Sequence, residues 1–417
     1  MGEQAKKPHI SVGLLAHVDA GKTTLSEALL YVSGAKRTLG RVDHGNATLD
    51  THELERQRGI TIFSKQARLS TDNLELTLVD TPGHVDFSAE AERTLQILDC
   101  AVLVISGTDG IQAHTLTLWR LLEAYQVPTF LFINKMDLPG KSRQELLTQL
   151  QRDLSPGCVD FGADFDTVAE AAAMCDEALL ESYLETGSVT TGNIRGLIAG
   201  RKLFPCCFGA ALKLEGVEDL LQLLDTYAPS RPVYEEFGAK IYKISRDPQG
   251  ARLTWLRITG GKLKVRDSIT YPNQKGETRE EKILQLRLYS GDKFTAVEEA
   301  CAGTLCAVTG LSETFAGQGL GAEPAGASPV LEPVMTYRVE LPKGCDPMTV
   351  LPKLRQLEEE DPQLHILWEG GSIHVRSWAR SSWKFSAIWW PSGSVWISRW
   401  IRAVFSIKKP SQAPSRV

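Results

Sequence analysis

Between His9 and Tyr227 the chain alternates apolar runs of strand length with stretches of helical periodicity. "ISVGLLA" leads into "KTTLSEALLYV", "LELTLVD" precedes "FSAEAERTLQIL", "AVLVIS" precedes "TLTLWRLLEAY", and "TFLFIN" precedes "RQELLTQLQRDL". Strands joined through helices are forced into parallel register, so this alternation predicts an α/β fold with a mostly parallel sheet covered on both faces. Ligands of such sheets bind at the carboxyl ends of the strands, where the loops carry the chemistry.

The pattern then changes. "YAPSRPVYEE" holds two prolines that stop the last helix and bias the backbone to extended structure, so it reads as a linker. From Gly238 the apolar runs become short ("AKIYKIS", "ARLTWLRIT", "KVRDSITY", "TLCAVTGL"), with Gly260-Gly261 as a turn and no long helix between them. A small β-barrel is expected. "PVMTYRVELPKGCDPMTVLPKLRQLEEEDPQLHILWEGGSIHV" follows as strand, helix, strand, the start of an α+β domain. The expected divisions are 1–229, 236–330, 333–376 and a tail from 377 to 417.

"AHVDAGKTT" follows a strand and opens a helix, the context a phosphate-binding loop requires. Ala16, His17, Val18, Asp19, Ala20, Gly21, Lys22, Thr23 and Thr24 would supply converging backbone N–H groups and the partial positive charge of a helix N-terminus. Lys22 would reach the β- and γ-phosphates, and the Thr23 hydroxyl would ligate Mg²⁺. One such loop is an ordinary chance match; further elements in the right order make chance a poor account. In "VDTPGH", Asp80 would hold Mg²⁺ through water, Thr81 and Pro82 are assigned with it to the phosphate-binding set, and the Gly83 N–H would contact the γ-phosphate. "RGITI" places Thr61 between two isoleucines, where its hydroxyl would complete the metal shell.

"NKMD" ends another strand and selects the base. The Asp137 carboxylate would accept from both N1–H and the 2-amino group of guanine; adenine lacks that pair of donors and would leave the carboxylate unmatched. Hydrogen-bond matching of this kind discriminates by ~10⁴-fold or more. The Lys135 stem would pack on the base beside Met136, and Asn134 would tie the loop together. GTP with Mg²⁺ is therefore the expected ligand. "GAALK" supplies Ala210, Ala211 and Leu212 at the guanine edge, with the Ala211 N–H assigned to guanine O6.

Together, "AHVDAGKTT", "ERQRGITI", "DTPGHVDF" and "FINKMD" resemble the translational GTPases of the elongation factor G group. "LLYVSGA", "LERQRGITI" and the short stretch from Asp137 to Ala210 look most like the tetracycline-resistance ribosomal protection proteins. The resemblance runs from about His9 to Arg376 and is strongest in the first 140 residues. It implies a ribosome-stimulated GTPase in which His84 positions the attacking water, with a second domain, carrying "RITGGKLKVRDSI", that docks on the small ribosomal subunit. It also implies that Asp19 is the loop aspartate of the family. The family pattern has Ser where this chain has Ala210, so a modest loss of loop rigidity is expected. The expected function is that of a ribosomal-protection type GTPase, truncated near Arg376 and impaired by that loss; an elongation factor G-like translocase is the alternative, and a guanine-nucleotide-binding remnant without ribosomal work is a second.

Composition bears on partners. The net charge is −5, but seven basic residues and no acidic ones lie after Arg376, leaving 39 basic against 51 acidic residues, −12, before it. That body would not grip nucleic acid by bulk charge, so an RNA partner needs a local patch and DNA is not expected. No secretory leader and no apolar run of membrane-spanning length is evident, and the eight cysteines form no C-x-x-C pair. A cytoplasmic protein without a membrane partner is expected.

The tail is anomalous. Six of the nine tryptophans lie in it, at 378, 383, 389, 390, 396 and 400, without a steady helical period and with Pro391 and Gly393 between them. One account is a basic aromatic arm for membrane or RNA. The favoured account uses the single codon of tryptophan, TGG. Shifting the frame so that each codon's last base joins the next two makes Trp378-Ala379 encode Gly and Trp383-Lys384 encode Glu. The family continues past a segment like "GSIHVR" with a helix reading approximately L-M-G-E-V-Q-L-E-I-L, and has Gly and Glu at that same spacing. Loss of one base near the Arg376 codon, in the organism or in the determined sequence, would produce such a tail.

Overall fold

A computed structural model describes residues 7–40, 65–82, 88–326, 335–339, 341 and 346–377. Thr61, Gly83, His84 and the tail from 378 onward lie outside the described residues. The first domain is built on a seven-stranded sheet of order β2-β3-β1-β4-β5-β7-β6. Its strands are β1 (His9–Ala16), β2 (Lys65–Ser70), β3 (Glu75–Asp80), β4 (Cys100–Ser106), β5 (Thr129–Asn134), β6 (Cys158–Asp160) and β7 (Phe204–Phe208). All neighbours run parallel except β2, which pairs antiparallel with β3. The predicted alternation is thus the observed topology.

Why these strands are continuous apolar runs is clear from their burial. β4 and β5 are buried at every residue, because helices cover both faces. One face packs against α1 (Lys22–Val32) and α8 (Val217–Tyr227); the other carries α3 (Ala113–Ala124) and α4 (Arg143–Asp153). Between β6 and β7 stand α5 (Phe165–Ala173), α6 (Glu177–Thr186) and α7 (Thr191–Ala199). Each starts at a side-chain cap: Asp164, Asp176 and Thr190 accept from the backbone N–H three residues on, satisfying a donor the helix cannot use. A further helix of this domain, α2 (Ser88–Leu95), begins just beyond the Asp80–His84 motif.

The second domain is antiparallel and wraps its own core of Ala239, Ile241, Ile258, Leu263, Tyr271 and neighbours. Six strands form the order β14-β13-β16-β9-β8-β17, with β16 (Leu305–Thr309) and β17 (Gly319–Gly321), and two further pairs, β10 (Lys262–Lys264) with β15 (Glu299–Cys301) and β11 (Ser268–Pro272) with β12 (Thr278–Lys282), belong to the same domain. The strands that matter below are β8 (Gly238–Arg246), β9 (Arg252–Gly260), β13 (Gln285–Ser290) and β14 (Lys293–Val297). The third region has strands β18 (Met335–Val339), β19 (Leu367–Glu369) and β20 (Ser372–Ser377) in the order β18-β20-β19, with α9 (Pro347–Glu360) packed on them.

Charged side chains join these parts. Asp99, fully buried at the start of β4, accepts from Ser11 N at 2.7 Å, from Arg231 N in the linker at 3.0 Å, and from Arg257 of β9 at 2.7 and 2.8 Å. Arg257 also donates to Ile97 O at 2.8 Å, so its guanidinium is held by several acceptors in a place without water. At a second junction Glu90 of α2 meets Lys243 of β8 at 3.1 Å and Arg93 at 2.8 Å, while Arg93 reaches Asp361 past the end of α9 at 3.1 Å. Opposed charges hold the Glu90 carboxyl down at about 2 in spite of its burial.

Candidate nucleotide site

The phosphate loop is the turn between β1 and α1. Its shape depends on two left-handed residues, Asp19 (φ 62°) and Gly21 (φ 91°), and on an Ala20 N to His17 O bond of 3.2 Å. Asp tolerates that region because its short polar chain bonds locally; at Gly21 more than φ is at stake. A Cβ on Gly21 would lie 2.2 Å from Asn134 Nδ2, so only glycine leaves room for the asparagine at the end of β5.

Lys22 is 7 % exposed and pairs with the fully buried carboxylate of Asp80 at the end of β3. The Lys22 carbonyl accepts from Ser26 Oγ at 2.9 Å, and Thr23 and Thr24 follow it in the first turn of α1, partly exposed. Thr81 is differently placed from its expected role. Its hydroxyl donates to Leu14 O at 2.7 Å, so the side chain braces β1 against the turn instead of facing a phosphate. Pro82 is buried behind it.

Asn134 joins the two halves of the site. Its Nδ2 donates to Ala20 O in the phosphate loop at 2.9 Å, and its Oδ1 accepts from Ala211 N in the "GAALK" loop at 2.9 Å. This corrects one expectation. The Ala211 N–H is occupied by Asn134, so it is not the donor for guanine O6. Leu212 N, one residue on, makes no hydrogen bond to the protein among the described residues. Lys135 adopts a left-handed turn (φ 65°), Met136 N donates to Gly209 O at 3.0 Å, and Gly209 N donates to Ile133 O at 2.9 Å, which locks the two base-side loops together.

The Ala210 position, where rigidity was expected to fall, is closed by backbone alone. Ala210 N donates to Glu215 O at 3.0 Å and Glu215 N to Ala210 O at 3.2 Å. Sequence reasoning did not assign Lys213, whose Nζ lies 3.2 Å from Asp137 Oδ2. Its signal was present: it is the last residue of the same five-residue loop. Next to the loops, the His17 and His114 rings lie 6.0 Å apart, and Asp109 is held below the usual carboxylate range by its bond from Ser106.

The arrangement therefore brings Lys22, Thr23, Asp80, Asn134, Lys135, Asp137 and the 210–212 loop to the carboxyl edge of one sheet. A buried carboxylate and a threonine hydroxyl are hard oxygen donors of the kind Mg²⁺ takes. Where His84 and Thr61 sit relative to them lies outside the described residues.

Residues 7–230 match the family described as the elongation factor Tu GTP binding domain, and residues 236–322 match elongation factor G domain 2. Among curated relatives, the chain is 35 % identical over 328 residues to tetracycline resistance protein TetP of Clostridium perfringens, covering 73 % of this chain and 50 % of that protein. It is 34 % identical to the oxytetracycline resistance protein of Streptomyces rimosus (86 % and 59 % covered). It is 31 % identical to elongation factor G 1 of Geobacter sulfurreducens (85 % and 62 %). The chain thus spans between half and about three fifths of the length of these relatives. A crystal structure of a protein from Thermus thermophilus superposes with a TM-score of 0.79 at 26 % identity, covering 91 % of this chain and 65 % of that one.

Proposed function

Because the chain belongs to the translational GTPases of the elongation factor G group, we propose that it binds Mg²⁺·GTP and acts on the ribosome as a ribosomal-protection type GTPase. The observation that carries the nucleotide part is the double hydrogen bond of Asn134 to Ala20 O and Ala211 N. One side chain ties the phosphate loop to the base loop, so both ends of a nucleotide would be held by one hydrogen-bonded unit. Asp137 then reads the N1–H and 2-amino groups of guanine, and Leu212 N meets O6.

In this proposal Mg²⁺ is held by Thr23 and Asp80, with Thr61 joining them, and it supplies neutralising charge to the phosphates. Lys22 turns from Asp80 to the β- and γ-phosphates. Gly83 contacts the γ-phosphate, and His84 orients the attacking water when the ribosome is bound. Two resistance relatives at 35 % and 34 % identity, against 31 % and 30 % for two elongation factors G, favour the protection type over translocation.

The test has two stages. Asp137→Asn should weaken GDP and favour xanthosine diphosphate, because an amide offers the donor that the xanthine 2-oxo group needs; an unchanged base preference overturns the guanine contact. Purified chain mixed with ribosomes should then show stimulated release of phosphate from GTP and dissociation of bound tetracycline. Stimulated hydrolysis without tetracycline release would move the assignment to a translocase. Guanine nucleotide binding without any stimulation would identify a nucleotide-binding remnant.

A further inference from the structure

On the far side of the guanine loop from the nucleotide lies a second recess of about 440 Å³, a volume in the range of small-molecule sites. Its walls include Arg143 of α4, Phe161 and Phe208, and Asp219, Gln222 and Tyr227 of α8. None of these residues has a part in the nucleotide site described above.

The chemistry of the walls is that of a site for an aromatic cation. The protein supplies its own precedent there: the Arg143 guanidinium lies 4.8 Å over the Phe208 ring and is paired with Asp160. Gly162 leaves space for it, since a Cβ there would lie 2.1 Å from Arg143 Nη2. The opposite wall sets a second pair of aromatic rings beside a carboxylate. Phe161 and Tyr227 stand edge to face at 5.6 Å, and the exposed Asp219, which feels the charge of Arg143 across the recess, makes no side-chain hydrogen bond or ion pair among the described residues. Aromatic faces and an adjacent carboxylate attract a cation by quadrupole and charge together. Cys207 lies at the base of the recess, but burial and then the field of Asp219 push its thiol up to about 12, so it stays neutral and offers no covalent anchor.

The recess also touches both stalks of the guanine loop. Phe208 ends β7 immediately before Gly209, and α8 begins at Val217 immediately after Gly216. Cys207 Sγ donates to Gly216 O at 3.4 Å across the neck. An occupant bridging Phe208 and Asp219 would hold the two stalks at a fixed distance. We propose that this recess is a regulatory site for a small aromatic cation, whose binding restrains the guanine loop and slows nucleotide release. The binding half is independent of the proposed function; the coupling half rests on the guanine assignment.

The probe is 4-aminobenzamidine, added to the full chain and followed by calorimetry and by release of a fluorescent GDP. Saturable one-to-one binding is expected, with release slowed about fivefold, the low end of ordinary coupling between sites. Asp219→Asn and Tyr227→Leu should each weaken probe binding by about tenfold or more and leave fluorescent GDP affinity unchanged. Absence of saturable binding, or equal binding to Asp219→Asn, overturns the site. Binding that leaves release unaltered overturns the coupling. Failure of the protein to bind GDP while the probe still titrates by calorimetry would instead overturn the nucleotide assignment.

Discussion

At the scale of single residues, the site is governed by how little freedom its backbone has. Gly21 shows this twice, through a φ of 91° and through the 2.2 Å approach that a Cβ would make to Asn134. A non-glycine residue there costs about 1–2 kcal/mol for the left-handed backbone alone. Gly21→Ala should also displace Asn134 from Ala20 and Ala211, so fluorescent GDP affinity should fall by more than about tenfold while the circular dichroism spectrum is unchanged. Retained affinity would mean that the asparagine bridge is dispensable. Most of these residues were legible in the sequence, because phosphate and guanine restrict which residue types serve at which spacing. The exception is instructive: Ala211 and Leu212 offer consecutive N–H groups, and only the closure of Asn134 onto the first shows which of the two is already engaged. Thr81 was misjudged for a similar reason, since its hydroxyl is claimed by Leu14 O on a neighbouring strand.

At the scale of elements, the alternation of buried strands and capped helices was legible because a parallel sheet needs two apolar faces and connecting helices. The helices α5, α6 and α7 were not foreseen; their caps at Asp164, Asp176 and Thr190 are ordinary loop residues until a helix is known to follow. Contacts between elements were invisible for the same reason. Glu360, at the end of α9, is the clearest case. Burial pushes its carboxyl up to about 7, although Arg246 lies 4.0 Å away and Lys243 also acts to lower it; Glu359 opposes them. Its folded pKa lies above its ordinary 4.5, so the folded state resists ionisation. The penalty is absent below pH 4.5 and reaches its full size as pH rises through 7. Glu360→Gln should therefore stabilise the chain at pH 8 by up to roughly 3 kcal/mol, with the gain vanishing toward pH 4. Denaturant unfolding at the two pH values checks it, and an equal effect at both would exclude the ionisation.

At the scale of the whole molecule, three parts meet around side chains that the nucleotide motifs bring with them. Asp99 ties β1, the linker and β9 together. Glu90 and Arg93, on the helix that follows the Asp80–His84 motif, reach the second and third parts at once. The nucleotide sequence around the Arg376 codon is the decisive observation for the tail. A frame shifted by one base should encode a long continuation containing Gly and Glu at the spacing of Trp378 and Trp383. A stop soon after the shift would instead leave the basic aromatic segment as a product of selection.

One irregularity in β8 makes the junction richer than a regular strand would allow. Ile241 pairs with Leu256 and Lys243 with Trp255, so Tyr242 is an extra residue, a bulge, opposite no partner of its own. Ile241 and Ile244 both point into the domain's core, and the two residues between them both point out, Tyr242 to Gln66 of β2 and Lys243 to Glu90 of α2. Gln66 follows the Thr61 segment and Glu90 follows the His84 segment in sequence. The strand therefore carries a one-residue insertion at the place where it touches the chain beyond both segments. Excising Tyr242 would keep every inward residue of β8 in phase and leave Lys243 facing Glu90, at the cost of the contact with Gln66 and of a buried ring that packs into the first domain's core. Excising Ile244 would throw the remainder of the strand onto the wrong face. A gap at the first position costs side-chain contacts, and two places later it costs the strand its phase.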